Sequence, residues 1–140
     1  MNLHYQRFPG PGKKDGLTKT ITEILTLIVP EKIFLIGMSQ EIRLTENIFI
    51  KNPLTIQVSD WYDLLILYNG KDKGSRVEME TRLKLRLNHH AGLNFRLMDV
   101  HEFNRAVKAG NEYENFILLN AMICYDSEKI PLEDPVMPDI

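Results

Sequence analysis

The chain has 140 residues, of which 44% are hydrophobic and 26% are charged, as expected of one globular domain with a buried core. Its formal net charge of −2 provides no overall attraction for phosphate backbones, which argues against nucleic acid as a partner. The single cysteine, Cys124, excludes an internal disulfide, and the sequence has neither a bilayer-length apolar stretch nor a signal-peptide core, so we predict a cytoplasmic protein without a membrane partner.

The two ends of the chain differ in composition from the middle. Residues 1–15 contain two prolines and two glycines beside Lys13 and Lys14, a composition that predicts a flexible N-terminal arm. Residues 127–140 contain three prolines among acidic residues and predict an extended, Pro-rich acidic C-terminal tail whose apolar side chains can dock on the domain. The intervening residues 16–126 form the predicted domain.

The domain is predicted to begin with a helix and a buried strand. Leucines and isoleucines recur at helical spacing from residue 17 to residue 28, with Asp15 as the N-terminal cap and Pro30 as the stop. Residues 32–37 are a short apolar run, rich in β-branched and aromatic residues and ending in Gly37, and predict a strand covered on both faces.

The middle of the chain is predicted to contain a hairpin and a second buried strand. Residues 47–50 and 54–58 are typical of strands, and Asn52-Pro53 between them is typical of a turn. The apolar run at residues 62–68 predicts the next strand, which Asn69-Gly70 ends. Residues 75–90 fit both a strand and a helix; we predict a helix because Met79, Leu83 and Leu87 form one stripe, a choice that the resemblance described below also favours.

The last third of the domain predicts a strand followed by two helices. Residues 93–98 are typical of a strand, and Asp99 with Glu102 forms a capping box for a helix that ends near Gly110. Asn111 with Glu114 repeats the box for a second helix. The order of these elements predicts an α/β (α+β) fold in which helices pack on a mixed β-sheet.

Three segments of the chain resemble the minimal nucleotidyltransferases, small members of the DNA polymerase beta-type nucleotidyltransferase fold. They are KIFLIGMSQ at residues 32–40, SDWYDLLIL at residues 59–67, and the stretch from Leu93 to Asp126 that closes with ICYD. Together they cover a region of about residues 17–126 in the family's order. The resemblance implies a nucleotidyltransferase-like sheet and a magnesium-dependent site that moves a nucleotide through carboxylate-bound metal ions.

The resemblance also assigns positions for the site residues. Asp63 matches the family's second carboxylate and, with Asp60 three residues earlier, is a candidate catalytic and metal-binding residue, while Gly37 and Ser39 match a glycine turn that holds the nucleotide phosphates. Three positions depart from the pattern: Trp61 stands at the first carboxylate, Asn94 at the third, and Met38 at the serine of the turn. Asparagine has the shape of aspartate without its charge and is a poor ligand for Mg²⁺.

These departures give three hypotheses and leave open whether the protein is an enzyme. The first is a catalytically impaired domain that acts as a binding and regulatory, antitoxin-like module, since the family often pairs with helical HEPN-type proteins in prokaryotic toxin–antitoxin systems. The second is an active Mg²⁺-dependent transferase of nucleotides to a protein or RNA, with Glu41 or Glu46 resupplying a ligand. The third is a structural or interaction subunit. A HEPN-type partner or a second copy is the expected partner, a nucleotide the candidate ligand, and Mg²⁺ a cofactor only if the domain is active.

Other side chains were weighed against more ordinary roles. The pair His89-His90 with His101 suggests zinc, but the spacing is more typical of histidines at a helix end. The basic residues of segment 76–86 suit either phosphate binding or a solvated face. Trp61 and Tyr62 are candidates for stacking on a base or for filling the space left by lost ligands. Tyr113 and Phe116 are predicted to anchor the core or an interface, and exposure beside Ile117 would mark them as a partner surface.

Overall fold

The computed structural model describes residues 11–46, 54–71, 76–87 and 92–136. Within these residues the elements in chain order are α1 (Pro11–Leu27), β1 (Lys32–Glu46), β2 (Leu54–Tyr68), α2 (Arg76–Leu87), β3 (Leu93–Asp99), α3 (Val100–Lys108), α4 (Glu112–Asn120) and β4 (Met122–Asp126). The strands form one sheet in the order β3-β2-β1-β4. β1 is antiparallel to β2 and β4, whereas β3 is parallel to β2. The predicted mixed sheet with helices packed on it is therefore confirmed.

The sheet is covered on both faces, which explains its continuous apolar runs. Along β2, Leu64 and Ile66 face a core made with α1 and α2, and Leu65 and Leu67 face a second core made with α3 and α4. All four side chains are almost fully buried, and each such burial contributes about 1.5–3 kcal/mol. A strand whose successive residues are all apolar is stable only between two helical layers.

The first two strands form one long hairpin, which corrects the predicted order of short strands. β1 does not end at Gly37 but continues to Glu46, and it pairs with β2 from Lys32 opposite Leu67 to Glu46 opposite Leu54. The predicted strands at 54–58 and 62–68 are therefore parts of a single strand. The predicted strand at 47–50 and the turn at Asn52-Pro53 lie outside the described residues.

A bulge interrupts the pairing of β1 with β2. Leu35 lies opposite Leu64, but the next paired residue of β2, Asp63, lies opposite Gly37, so Ile36 is the extra residue. Side chains alternate between the faces of a strand, and one extra residue reverses the alternation. Leu35 accordingly packs in the core under α1 and α2, and beyond the bulge it is the even-numbered Met38 that packs there.

The first two helices differ in how well their limits were predicted. α1 begins at Pro11 rather than after Asp15, so the predicted cap was wrong and the last part of the predicted arm is helical; proline is well suited to a first helical position because it has no N–H to lose. Residues 1–10 lie outside the described residues. The helix predicted for 75–90 is confirmed as α2, with the stripe of Met79, Leu83 and Leu87 buried.

Local hydrogen bonds define the start and the end of α3. Asp99 caps α3 by accepting a bond from the His101 N–H at 3.1 Å, as predicted. Gly110 has φ of +81°, and the N–H groups after the helix bond back to carbonyls of its last turn, with Gly110 donating to Val107 and Asn111 to Ala106. This is the geometry of a glycine-ended helix. Asn111 precedes α4 without a side-chain cap bond, so the second predicted box does not form through its side chain.

The C-terminal segment is extended and docks on α3 and α4. Asn104 accepts a bond from the Glu133 N–H at 2.9 Å and donates one to the Pro131 carbonyl at 3.1 Å. The buried Asn115 accepts from the Val136 N–H at 2.6 Å. Ile130 and Leu132 pack against the core beneath these helices. Residues 137–140 of the predicted tail lie outside the described residues.

An ion pair joins the start of β1 to the end of β4. The Lys32 side chain is 3% exposed and bonds the Asp126 carboxylate, which is 37% exposed. The bond to Lys32 holds the pKa of Asp126 below its ordinary value. Next to the pair, Ser127 donates both its N–H and its hydroxyl to Glu31, each at 2.8 Å. The ion pair with Asp126 thus satisfies the buried charge of Lys32, which would otherwise be unpaired at this end of the sheet.

Candidate functional site

Three of the predicted site residues lie side by side across three strands. Asp63 on β2 is the Cα partner of Gly37 on β1 and of Asn94 on β3. The Asp63 and Asn94 side chains are exposed, and a Cβ added at Gly37 would lie 3.3 Å from Asp63 Oδ2. We call Gly37, Asp63 and Asn94 the candidate row.

The candidate row lies on the sheet face that α3 and α4 cover farther along. Asp63 shares its face with Leu65 and Leu67, which pack in the core under these helices. Trp61, two residues before Asp63, is on the same face, half-buried, and is the Cα partner of the exposed Ser39. Trp61 thus occupies the position on β2 from which a second carboxylate would face the same way as Asp63.

The structure does not bring Asp60 to the candidate row. The pairing of β2 with β1 is unbroken from Asp63 opposite Gly37 to Asp60 opposite Gln40, so no bulge in β2 turns Asp60 towards Asp63. By alternation Asp60 faces the other side of the sheet with Tyr62, which packs in the core under α1 and α2. Burial raises the pKa of Tyr62, and the charge of Asp60 raises it further.

The predicted glycine turn is absent from this part of the chain, because Gly37, Met38 and Ser39 are strand residues paired with β2. The prediction of a turn was wrong: the backbone needed for a phosphate loop is used in the ladder. Met38 packs on the core rather than facing the candidate row. Glu41, a proposed replacement ligand, follows Gly37 by four strand residues, which separates their backbones by about 13 Å.

Sequence reasoning missed one charged side chain on this face. Arg96 is exposed, two residues beyond Asn94 on β3, and its guanidinium lies 5.1 Å from the centre of the Tyr113 ring of α4. Alternation from Asn94 predicts the face of Arg96, but its contact with Tyr113 depends on tertiary packing that no local pattern encodes. The contact holds a cation near the candidate row.

The donor set of the candidate row does not fit a two-metal centre. It offers the carboxylate of Asp63 and the neutral amide of Asn94, whereas divalent cations that bind phosphates are held by several carboxylates. Across the part of the chain that the structure describes, no three His, Cys, Asp or Glu side chains form a group able to hold a metal ion. What the row can do is donate and accept hydrogen bonds beside a fixed guanidinium.

The remaining candidates fall at separate places. His101 lies within 3.2 Å of Asn69 Oδ1 through its Nε2, and the His89-His90 pair lies outside the described residues. Tyr113 and Phe116 are exposed on α4, Phe116 by 66%, whereas Ile117, the residue after Phe116, is buried. Phe116 and the half-exposed Leu119 therefore lie on the outer surface of α4. The exposure of Tyr113 and Phe116 is the condition under which the sequence predicts a partner surface.

The fold and site together define a mixed α/β protein whose candidate row, with Arg96 beside it, presents the carboxylate of Asp63, the amide of Asn94 and a guanidinium at the sheet surface. No protein-family model, curated protein or solved structure matches the chain. None of the helices in the described ranges is long and apolar enough to cross a membrane.

Proposed function

We propose that this protein is a nucleotidyltransferase-like domain of the cytoplasm that has lost efficient nucleotide transfer and acts as a binding and regulatory, antitoxin-like module. The observation that carries the proposal is the candidate row, in which Asp63 lies between Gly37 and Asn94 on adjacent strands. The position of Asn94 on the strand beside Asp63 is the relation expected from the resemblance, with asparagine in place of a carboxylate.

The electrostatic argument concerns the charge that nucleotide transfer must neutralise. A triphosphate in the transition state needs divalent cations bound by several carboxylates. Asp63 is the one acid in the row, Trp61 stands at the alternate position on its strand, and Asp60 faces the other side of the sheet. A nucleotide would then be held by hydrogen bonds and by Arg96 rather than through a metal pair.

The proposed partner is a helical HEPN-type protein or a second copy of this chain. Support comes from the outer surface of α4, where Tyr113, Phe116 and Leu119 are exposed. Aromatic side chains are enriched at protein interfaces because they bury a large area with little loss of conformational entropy. A regulatory module needs such a surface, whereas an isolated transferase does not.

The proposal is tested by rebuilding the missing carboxylates. Trp61→Asp combined with Asn94→Asp would gather three acids on neighbouring positions, and we expect the double variant to gain Mn²⁺ affinity at least about tenfold over the wild type, measured by titration calorimetry. The matched control adds Asp63→Ala to the double variant and is expected to lose the gain. Unchanged Mn²⁺ affinity in the double variant would contradict the assignment of the row.

A second measurement addresses catalysis directly. Wild-type protein is incubated with Mg²⁺, α-labelled ATP and, separately, RNA or candidate helical partners, and transfer of label is followed by gel. We expect no transfer above a sample without protein. If the wild type transfers label and Asp63→Ala abolishes it, the domain is an active nucleotidyltransferase and the proposal of impaired catalysis is wrong.

A further inference from the structure

A groove runs along the open edge of the sheet, between α2 and β3. It has a volume of about 520 Å³ and is lined by Thr81, Lys84 and Leu85 of α2 and by Leu93, Asn94 and Phe95 of β3. This volume lies in the range of about 300–1,000 Å³ found for ligand sites. Leu85 is 73% exposed at its wall, so a large apolar side chain of the described chain faces solvent here.

The backbone of β3 directs towards this groove hydrogen-bonding groups that pair with none of the described strands. β3 is the first strand in the sheet order and pairs with β2 alone among the described strands. Tyr62 donates its N–H to the Gly92 carbonyl at 2.7 Å. In a parallel ladder alternate residues direct both backbone groups to the same side. Gly92, Asn94 and Arg96 therefore bond towards β2, and Leu93 and Phe95 direct their N–H and C=O groups to the open edge.

We propose that this groove binds an extended, acidic peptide segment of another protein, which adds to the sheet as a further strand beside β3. The occupant must be extended because the edge presents N–H and C=O groups at the spacing of a strand. Such edges of natural sheets are normally covered or blocked by charge, whereas Leu93 and Phe95 are only partly buried and pack towards α2.

The chemistry of the lining specifies the peptide side chains. Alternate side chains of an added strand would face α2, where Leu85 and Phe95 offer an apolar contact. Lys84 is the charged residue of the lining, and its bond to Glu80 at 2.9 Å joins two exposed or half-exposed side chains. Ion pairs between exposed side chains are weak because water and salt screen them, so a peptide carboxylate can replace Glu80. The segment therefore has an apolar residue at one inward position and an acidic residue near it.

The test selects peptides and asks whether binding depends on the groove. A phage-displayed library of random linear peptides is panned against the whole chain, and the enriched peptides are synthesised. We expect Leu85→Lys to weaken their binding by about tenfold or more, because an apolar contact is lost. Val77→Lys is the matched control, since Val77 is 66% exposed on the same helix but outside the groove; it is expected to leave affinity unchanged.

A charge-reversed pair and blocked peptides test the two remaining parts of the proposal. Lys84→Glu should weaken binding of the acidic peptides more than Arg86→Glu, which reverses an exposed charge outside the lining. N-methylation of peptide amides at alternate positions should abolish binding in one register and leave it unchanged in the other. Equal effects of the two registers would show that no strand is added and would overturn the proposal.

Amide hydrogen exchange provides a readout on the unmodified chain. In the free protein the amides of Leu93 and Phe95 should exchange faster than those of Asn94 and Arg96, and an enriched peptide should slow them. The proposal is overturned if Leu93 and Phe95 are already as protected as their neighbours, or if panning enriches no peptide that Leu85→Lys weakens. It is also overturned if light scattering shows a dimer in which these amides are protected, because the occupant would then be a second copy. None of these outcomes depends on whether the candidate row binds a nucleotide.

Discussion

Replacement of Gly92 by alanine tests the pairing of β2 with β3, the strands that carry Asp63 and Asn94 of the candidate row. Gly92 has φ of +97°, and a Cβ added there would lie 2.1 Å from the Asp60 carbonyl oxygen and 3.5 Å from the Trp61 Cα. All of these are backbone atoms of a paired strand, so they cannot move aside as the end of a side chain can. The Gly92 carbonyl also accepts the Tyr62 N–H, a bond that the displaced loop would lose.

The expected cost is the sum of three effects. The left-handed conformation costs an alanine about 1–2 kcal/mol, loss of the hydrogen bond about 0.5–1.5 kcal/mol, and overpacking against the strand about 1–3 kcal/mol. Gly92→Ala should therefore lower the free energy of unfolding by about 2.5–6.5 kcal/mol. The matched control is Gly110→Ala, where φ is +81° but nothing lies within 4 Å, and the cost is about 1–2 kcal/mol of conformational strain alone.

Urea unfolding followed by the fluorescence of Trp61, the single tryptophan, measures both variants. With a denaturant slope of about 1–3 kcal/mol per molar urea, the Gly92→Ala midpoint should fall below that of Gly110→Ala by roughly 0.5 M or more. Equal midpoints would refute the close approach of Gly92 to Asp60, and with it the pairing that brings Asn94 beside Asp63.

Three further predictions concern stability and reactivity. Because the bond to Lys32 lowers the pKa of Asp126, the pair stabilises the fold above the ordinary carboxyl pKa, and this stabilisation is lost as pH falls through the lowered value. In urea titrations between about pH 5 and pH 2, the wild type should lose more stability than Asp126→Asn, by less than about 1 kcal/mol because the carboxylate is exposed. Parallel curves for the two proteins would contradict this. Asn115→Ala removes the acceptor of the Val136 N–H and should lower the free energy of unfolding by about 1–3 kcal/mol. It should also speed amide exchange at Val136, whereas protection equal to the wild type would show that other contacts hold the C-terminal segment. Burial raises the pKa of Cys124 to about 11, so at pH 8 its thiolate fraction should be about 100-fold below that of a thiol of pKa 9. The rate of alkylation by iodoacetamide, compared between the folded and the urea-unfolded chain, measures this fraction. Equal rates in the two states would contradict the prediction.

The sequence predicted most accurately those elements whose pattern is set by burial. The stripe of Met79, Leu83 and Leu87 indicated α2 because its residues pack on one core, and the run at Leu64–Leu67 indicated a strand covered on both faces. In both cases the local pattern and the tertiary environment demand the same residues.

The long hairpin was predicted poorly for a related reason. Beyond Gly37 the residues of β1 are largely polar, and they form a strand because they pair with the backbone of β2. A strand stabilised by pairing rather than by burial leaves little hydrophobic periodicity in the sequence. Gly37 was interpreted as a turn for the same reason, although its role here is to lie close to Asp63.

The candidate site was predictable where simple counting applies. Alternation along β2 assigns Asp60 and Asp63 to opposite faces, and the resemblance assigns Asn94 to the third carboxylate position, which the register of β3 with β2 places beside Asp63. The proximity of Arg96 to Tyr113 was not predictable, because it depends on how α4 packs over the sheet. The site therefore divides into positions fixed by strand register and contacts fixed by helix packing.

The extra residue at Ile36 reverses which side chains of β1 face each side of the sheet. Before it, odd-numbered side chains contact the helices at the start of the chain; after it, the same parity brings Gly37 and Ser39 to the opposite surface. In a ladder without this bulge, Ile36 would pair with Asp63, and its large apolar side chain would face that carboxylate where Gly37 now lies. The bulge thus keeps a large side chain of β1 away from Asp63, whose carboxylate is exposed.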